Sequence, residues 1–384
     1  MHNNSYLEID RKAHKVNIDF LRKHFHKDVL FSSVVKGNAY GHSIERFVEI
    51  AMGEKVRHFS VFDSNEARRV KNVGGDNVTV MIMGWLSNES DMNWIIENEV
   101  EFFVFEKNRL TSALASAKKL RKKAIVHIEV ETGMNRTGFN ASDMKWVQDF
   151  LKKNAEFIEF KGLCTHFAGA ESIANYYRIK KQIIRYDEIY NQFCDKDLKP
   201  KLRHAACSAA AMMYPETQMD MVRIGIMQYG FWPSPEVLVN FYNSKRKNDN
   251  PLKRVISWKS QVMSVKKVKR GEFVGYGTSF MADENMKIAC VPVGYAHGYG
   301  RSLSNIGRVL INGERCVVIG SINMNMMVID VTLLEHIKRG DEVVLIGDQG
   351  DKQLSVSSFS DYSNLLNYEL LTRLSADIPR IIKS

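Results

Sequence analysis

Residues 31–43 read FSSVVKGNAYGHS: an apolar run ends on a lysine, Lys36, and gives way at once to glycine, asparagine and tyrosine. The junction of a buried strand with its loop is an unusual seat for a solvated charge, and the runs that follow explain it. From residue 29 to 230 the sequence repeats one pattern. After VLFSSVVK come HFSVFD, NVTVMIMG, VEFFVFE, KAIVHIEVET, FIEFKGLCTHF, LKPKLRHAAC and MVRIGIMQYG, all rich in Val, Ile or Phe or bounded like strands. Between them lie segments such as SIERFVEIAMGEKV and TSALASAKKLRKKA, whose apolar residues recur three and four apart, the period of an amphipathic helix. Eight strand–helix units predict an α/β fold: a closed, parallel (β/α)8 barrel of the TIM type with helices outside.

After FWPSPEVLVNFYNSKRKNDNP the pattern changes to closely spaced alternating runs, WKSQVMSVKKV, MKIACVPVGY, GRVLINGERCVVIGSINMNMMVIDVT and DEVVLIG, broken by turn pairs such as NG and GD. That is the pattern of an all-β domain. The expected boundaries are a barrel over residues 12–240 and a β domain over 241–384 that also takes in an N-terminal strand within 1–11.

The bulk numbers agree with two domains: 384 residues, of which 45% are hydrophobic, provide for a barrel-sized core and a smaller second one. No apolar stretch of signal length opens the sequence and none approaches eighteen residues later, so a cytoplasmic, unanchored protein is expected. The five cysteines, Cys164, Cys194, Cys207, Cys290 and Cys316, form no CxxC pair and no zinc-spaced cluster with histidine. Neither a disulfide frame nor a metal site is indicated. The formal charge of +10 sits in short runs such as KKLRKK and SKRKNDNPLKR without interleaved aromatics. These read as solvated faces rather than a nucleic-acid platform, although they would draw in a small anion.

In a barrel of this type the site lies at the carboxyl ends of the strands, and Lys36 ends the first. A lysine in a partly desolvated pocket has a lowered pKa and can hold an aldehyde cofactor such as pyridoxal phosphate through a Schiff base. On this motif alone, a strand-end lysine snorkelling to water remains the alternative. The other strand ends carry His166 in THF, Ser208 opening a helix in HAACSAAAM, and Arg223, Gly225 and Ile226 in RIGI. Phosphate seats in such barrels use the loops after strands seven and eight with a helix N-terminus. A lysine on strand one and a seat at seven and eight would span one cofactor across the mouth.

With these residues in place the sequence resembles the alanine racemases, fold type III pyridoxal-phosphate enzymes, over nearly its whole length. VVKGNAYGH resembles the family's lysine motif, VETGMNRTGF its TGM-x-R segment and THFAGAE its strand-six histidine. CSAA and MVRIGIMQYG resemble the phosphate and ring-nitrogen segments, GEFVGYGTSF the second-base loop, and VGYAHGYGRSLSNIGRVLING the β-domain signature. The resemblance implies that Lys36 carries the cofactor, that Tyr40, Ser208, Gly225 and Ile226 hold its phosphate, and that Arg223 faces the pyridine nitrogen. An arginine cannot accept the ring proton, which leaves the cofactor a weaker electron sink.

Racemisation requires an acid/base group on each face of Cα, since one group alone returns the proton to the side it left. Lys36 is one candidate. Tyr276 is the other; the resemblance implies that His166 and Arg223 form the neighbourhood that would bring its phenol into range and that it reaches the other subunit's site, and hence a homodimer with shared sites. Tyr295, Arg301 and Met324 resemble partner-side residues that line the approach and hold substrate. Arg136 would address the substrate carboxylate. Many family members hold this arginine with a carbamylated lysine seven residues earlier, where this sequence has Glu129. Glutamate presents a comparable planar anion, so Glu129 is expected to do the carbamate's work.

Three departures bear on the substrate. The family's CMD is here Asn323-Met324-Asn325, its YADG is YAHG with His297, and Ala376 stands where some members have a phosphate-contacting tyrosine. The leading expectation is an alanine racemase serving cell-wall precursors. A racemase of serine, lysine or an acidic amino acid is the nearest alternative, followed by a non-catalytic pyridoxal-phosphate carrier. A fold type III decarboxylase fits least, lacking its glycine-rich loop and cysteine–aspartate pair.

Overall fold

The computed structural model describes residues 4–245, 249–356 and 367–383; residues 246–248 of the basic run SKRKNDNP lie outside the described residues. Chain contacts divide it into two compact units. One comprises residues 13–37 and 47–253. The other comprises 1–12, 38–46 and 254–384.

The chain opens with β1 (Ser5–Asp10), which belongs to the second unit. The first unit holds β2 (Leu30–Val34), β3 (His58–Val61), β4 (Thr79–Ile82), β5 (Glu101–Val104), β6 (Ala124–Glu129), β7 (Ile158–Cys164), β8 (Leu202–His204) and β9 (Met221–Ile224). All eight expected strands are present, and each pairs in parallel with its neighbour in the order β8-β7-β6-β5-β4-β3-β2-β9. The ring closes between β8 and β9 through a single parallel bridge, Cys207 to Arg223, with the Arg223 amide donating to the Ala206 carbonyl at 2.9 Å. β8 has only three residues, so its side of the seam is short.

The barrel interior is not uniformly apolar. Met81, Phe103, Cys164 and Met221 form one cluster. Alongside it the barrel strands bury Ser32, His58, Glu101, His127, Glu129, His204 and Arg223. Alternation explains this, since every second residue of a barrel strand points inward whatever its polarity. At β6–β7 the register slips: Val126 faces Phe160 and His127 faces Gly162, which leaves Lys161 as the extra residue of a bulge. Gly162 is there for space, because a Cβ would stand 2.1 Å from His127 Nδ1.

The second unit is a sheet ordered β11-β12-β15-β14-β13-β16-β10-β1-β18. Its strands are β10 (Ile256–Gln261), β11 (Ser264–Val268), β12 (Met286–Val291), β13 (Arg308–Ile311), β14 (Glu314–Ile319), β15 (Met327–Asp330), β16 (Glu342–Gln349) and β18 (Arg380–Lys383), with β17 (Lys352–Leu354) beside β16. β1 pairs antiparallel with β10 and parallel with β18. The NG pair expected as a turn joins β13 to β14 with φ of 52° at Asn312 and 78° at Gly313, the left-handed pair that a two-residue hairpin requires.

Immediately after Lys36 the backbone turns left-handed for five residues, Gly37 to Gly41, at φ values of 62°, 54°, 54°, 50° and 80°. Asn38, Ala39 and Tyr40 each carry about 1–2 kcal/mol of strain there, so the surroundings must hold them. Within the second unit Arg380 donates to the Gly41 carbonyl from Nε at 3.1 Å and Nη2 at 2.9 Å. The buried His42 donates from Nδ1 toward the Tyr40 and Ala39 carbonyls at 2.9 and 3.0 Å. Gly41 admits no side chain, a Cβ there falling 2.0 Å from the Leu371 carbonyl oxygen.

Candidate active site

Lys36 follows β2 at the carboxyl end of the barrel strands. Its side chain is solvent-accessible, yet burial by surrounding protein is the main cause that lowers its amine below the usual lysine range, with Arg136 and Arg223 adding to the effect and Glu66 opposing it. Accessibility together with desolvation describes a concave mouth, where an amine is reachable and closer to neutral.

Arg223, on β9 and 4% exposed, is the most constrained group in the unit. Nη1 donates to His204 Nδ1 and, at 3.1 Å, to the His204 carbonyl; Nη2 donates to the carbonyls of Thr165 at 2.8 Å and Ala205 at 3.1 Å. Its Nε–H has no partner among the described residues. One guanidinium donor is therefore left over, the feature that a hydrogen-bond acceptor such as a pyridine nitrogen requires.

His166 lies just past β7. Burial, then the charges of Arg223, Arg136 and Lys36, push its imidazole down to about 3, so it is neutral near pH 7. Ser208 opens the short Ser208–Met213 helix, and its Oγ accepts from the Gly225 amide at 3.1 Å. That contact brings the seventh and eighth strand ends together, as a phosphate seat requires. Ile226, buried, begins the turn that follows.

Glu129, at the end of β6, is 4% exposed, which rules out a merely solvated strand residue. Burial raises its carboxyl; a hydrogen bond with Thr137 and the charges of Arg223 and Arg136 pull the other way. Among the described residues it makes no ion pair with Arg136, whose side chain is exposed, so the bidentate contact expected between them is absent here.

The second unit gathers its own set. Tyr276 lies between β11 and β12 and is 74% exposed. Its loop is pinned at Gly320, where a Cβ would stand 2.6 Å from the Val274 carbonyl oxygen, and Ser279 bonds Ser321 at 3.1 Å. The neighbouring segment 321–326 packs on the Tyr295–His297 turn: Tyr295 and Ala296 donate their amides to the Asn323 and Met324 carbonyls at 3.1 and 3.0 Å. Gly294 lies beneath, leaving no room for a Cβ, which would fall 2.1 Å from the Asn323 oxygen. Arg301 begins the next turn, and the Ser304 hydroxyl that donates to its carbonyl at 2.6 Å also receives the Ile322 amide. Tyr276, Tyr295, Arg301 and Met324 thus belong to one interlocked set of loops.

Comparison with known proteins adds kinship to this geometry. The alanine racemase N-terminal domain matches residues 9–233 and the alanine racemase C-terminal domain residues 255–382. This chain belongs to the alanine racemase family. The alanine racemase of Leptospira interrogans is 31% identical to it over 381 residues, covering 98% of this chain and 95% of that one. Among solved structures, an alanine racemase from Bacillus anthracis with bound L-Ala-P superposes with a TM-score of 0.89 at 30% identity, over 100% of this chain and 96% of its own. One from Bartonella henselae with covalently bound pyridoxal phosphate gives 0.85 at 26% identity, covering 100% of both.

The fold of the alanine racemase family is therefore expressed with the expected strand ends, but sequence reasoning missed the polar interior beneath them. His58, Glu101, His127 and His204 were each within quoted runs, HFSVFD, VEFFVFE, KAIVHIEVET and LKPKLRHAAC. The available signal was a charged or imidazole side chain at an inward-alternating position of an otherwise apolar strand. Glu66, felt by the Lys36 amine, was likewise unremarked, and Cys207, also felt there, was weighed only for a disulfide or a zinc site.

Proposed function

We propose that this chain is a pyridoxal-phosphate-dependent racemase that interconverts L- and D-alanine by a two-base mechanism. The observation that carries the reading is kinship along the full length, including the loop that bears Tyr276, joined to a desolvated Lys36 at the barrel mouth. The residues present suit the cofactor: an accessible amine of lowered pKa, an arginine with one uncommitted N–H, and a serine–glycine contact at the seam. Lys36 would hold it, Tyr40, Ser208, Gly225 and Ile226 its phosphate, and Arg223 its ring nitrogen. When bound, pyridoxal phosphate withdraws electrons from an attached amino acid and so acidifies the Cα proton.

The chain's own groups then decide where that proton goes. Lys36, its amine lowered by burial and two arginines, takes or returns a proton on one face of Cα. Tyr276 serves the other face, supplied by a partner chain in a homodimer. Arg223 stays charged and donates only, so it neither accepts the ring proton nor competes as a base. Arg136 orients the substrate carboxylate, with Glu129 contributing charge rather than a direct bidentate contact; Tyr295, Arg301 and the Met324 backbone line the approach. A cytoplasmic site of action and a role in supplying D-alanine to cell-wall precursors fit this activity. Among the described residues no helix is long and apolar enough to cross a membrane.

Proton NMR in deuterated water tests the reading, using purified protein, pyridoxal phosphate and single L-amino acids. Loss of the alanine Cα signal, with D-alanine identified chromatographically, is expected. Exchange of serine, lysine or an acidic amino acid alone would keep the chemistry and change the substrate, a possibility that Asn323, Asn325 and His297 make specific. No exchange from a protein that binds the cofactor would point to a carrier.

A further inference from the structure

The buried histidines below Arg223 form a connected path. His204 Nε2 lies 2.8 Å from His127 Nδ1, and His127 Nε2 lies 2.9 Å from Glu101 Oε2. A branch joins the same carboxylate oxygen: His58 Nε2 at 3.2 Å, with His58 Nδ1 2.8 Å from Ser32 Oγ and that hydroxyl 2.5 Å from Ser60 Oγ. Lys161, the bulge residue, brings its ammonium to 3.7 Å from Glu101 Oε1. Glu101, His127 and His204 are all nearly or wholly buried.

We propose that Glu101 is a positioning residue: through His127 and His204 it fixes the hydrogen-bond direction that holds Arg223 in the site. The kinetic part of this inference rests on the racemase reading; the structural part does not.

The direction follows from the two ends. A guanidinium only donates, so His204 Nδ1 must accept, and its proton sits on Nε2. That N–H faces His127 Nδ1, which must accept in turn, leaving the His127 proton on Nε2 and pointed at Glu101. A carboxylate only accepts, and it closes the series. If His127 were protonated, its Nδ1–H would oppose His204 Nε2–H, and the conflict would pass to Arg223. Both imidazoles are accordingly neutral, in agreement with burial lowering the pKa of each. Burial also opposes ionisation of Glu101, but the hydrogen bonds from His127 and His58 outweigh it and hold the carboxyl well below its usual range.

The path also answers a charge problem. Arg223 is buried with no carboxylate in direct ion-pair contact among the described residues, and buried charges ordinarily require a counter-ion. Glu101 is the anion to which its hydrogen bonds lead, two imidazoles away. Gly162 protects the path by leaving room for the His127 ring.

The decisive measurement is a long-range proton–nitrogen NMR spectrum of full-length protein labelled with nitrogen-15 histidine, with His127 and His204 assigned from His127→Gln and His204→Gln. Both wild-type rings are expected as neutral forms protonated at Nε2; either one protonated at Nδ1 or at both nitrogens overturns the proposal. Two variants then read the consequence in the cofactor-loaded enzyme. Glu101→Leu removes the acceptor and is expected to lower kcat about 100-fold, as small misplacements of site groups do, with KM for alanine little changed. Glu101→Gln, whose amide oxygen still accepts, is expected to recover most of that loss. If both variants fold less well yet retain wild-type kcat, Glu101 is structural only and the proposal fails. Should Glu101→Leu not fold, the wild-type ring forms still decide. A wild type that exchanges no alanine would sink the racemase reading while leaving the tautomer result intact.

Discussion

The barrel unit and the strand unit carry their site residues in opposite ways. In the barrel, Arg223, Ser208 and Glu129 are buried, unlike the accessible Lys36 and Arg136, and Arg223 donates four hydrogen bonds to strand-end carbonyls and an imidazole. In the strand unit, Tyr276, Met324 and Tyr295 are 74%, 56% and 44% exposed, and the backbone of their loops, rather than their side chains, is what is bonded. Barrel groups are preorganised within their own unit; the loop groups are presented outward on a rigid backbone. The contrast suits a site that one chain prepares and another completes.

Breaking the prepared half has the largest expected effect. Lys36→Ala should reduce alanine exchange roughly 10,000-fold, the upper range for loss of a general base, and should abolish covalent attachment of the cofactor seen in its absorbance. Retained exchange would move the base elsewhere. Breaking the presented half comes next. Tyr276→Phe should cost about 100- to 1,000-fold in racemisation while leaving the melting temperature unchanged, because so exposed a side chain adds little packing. An unchanged rate would make Tyr276 a bystander and remove the argument for a shared site.

The halves can also be compared by acid. His166 in the barrel unit is pushed down to about 3 and His42 in the strand unit to about 4, mainly by burial. Each stays neutral in the native state while the unfolded chain takes up a proton below about pH 6.5, so stability must fall as pH drops from there. For the fully buried His42 the loss is on the order of 3 kcal/mol by pH 4. Urea unfolding at pH 7 and pH 4.5 should show the gap narrowing in His42→Gln; an identical pH dependence would contradict the burial argument.

The smallest effect sharpens the role of Glu129. Its carboxyl is raised by burial, so ionising it costs more in the native state than in the unfolded chain, and stability is lost as pH rises above the ordinary carboxylate range. Glu129→Gln should leave stability at pH 7 equal or slightly higher, an advantage that fades as pH falls into the range where the native carboxyl is already protonated. If Glu129 supports Arg136 by charge, the same variant should raise KM for alanine several-fold. Wild-type rate and cofactor affinity would remove it from the site.

Sequence alone determined the architecture and the strand ends of this protein. Eight apolar runs separated by helical periodicity specify a parallel barrel, and local alternation with turn pairs specifies the second sheet, because both patterns are written within ten to fifteen residues of chain. Lys36, His166, Ser208 and Arg223 were legible as strand-end residues for the same reason: in a barrel, lying at or just past the carboxyl end of a strand is enough to place a residue at the mouth. Only the tertiary structure decided what lies beneath. Whether Glu101 serves as an anion for Arg223 depends on side chains from four different strands, with 122 positions of sequence between the ends of the path. No local pattern encodes that, since donor direction in a buried hydrogen-bond series is set by its two ends together. The left-handed turn after Lys36 is shared between the two levels: Gly37 and Gly41 permit it and the neighbouring His42 braces it locally, but Arg380, brought there by the fold, makes it stay.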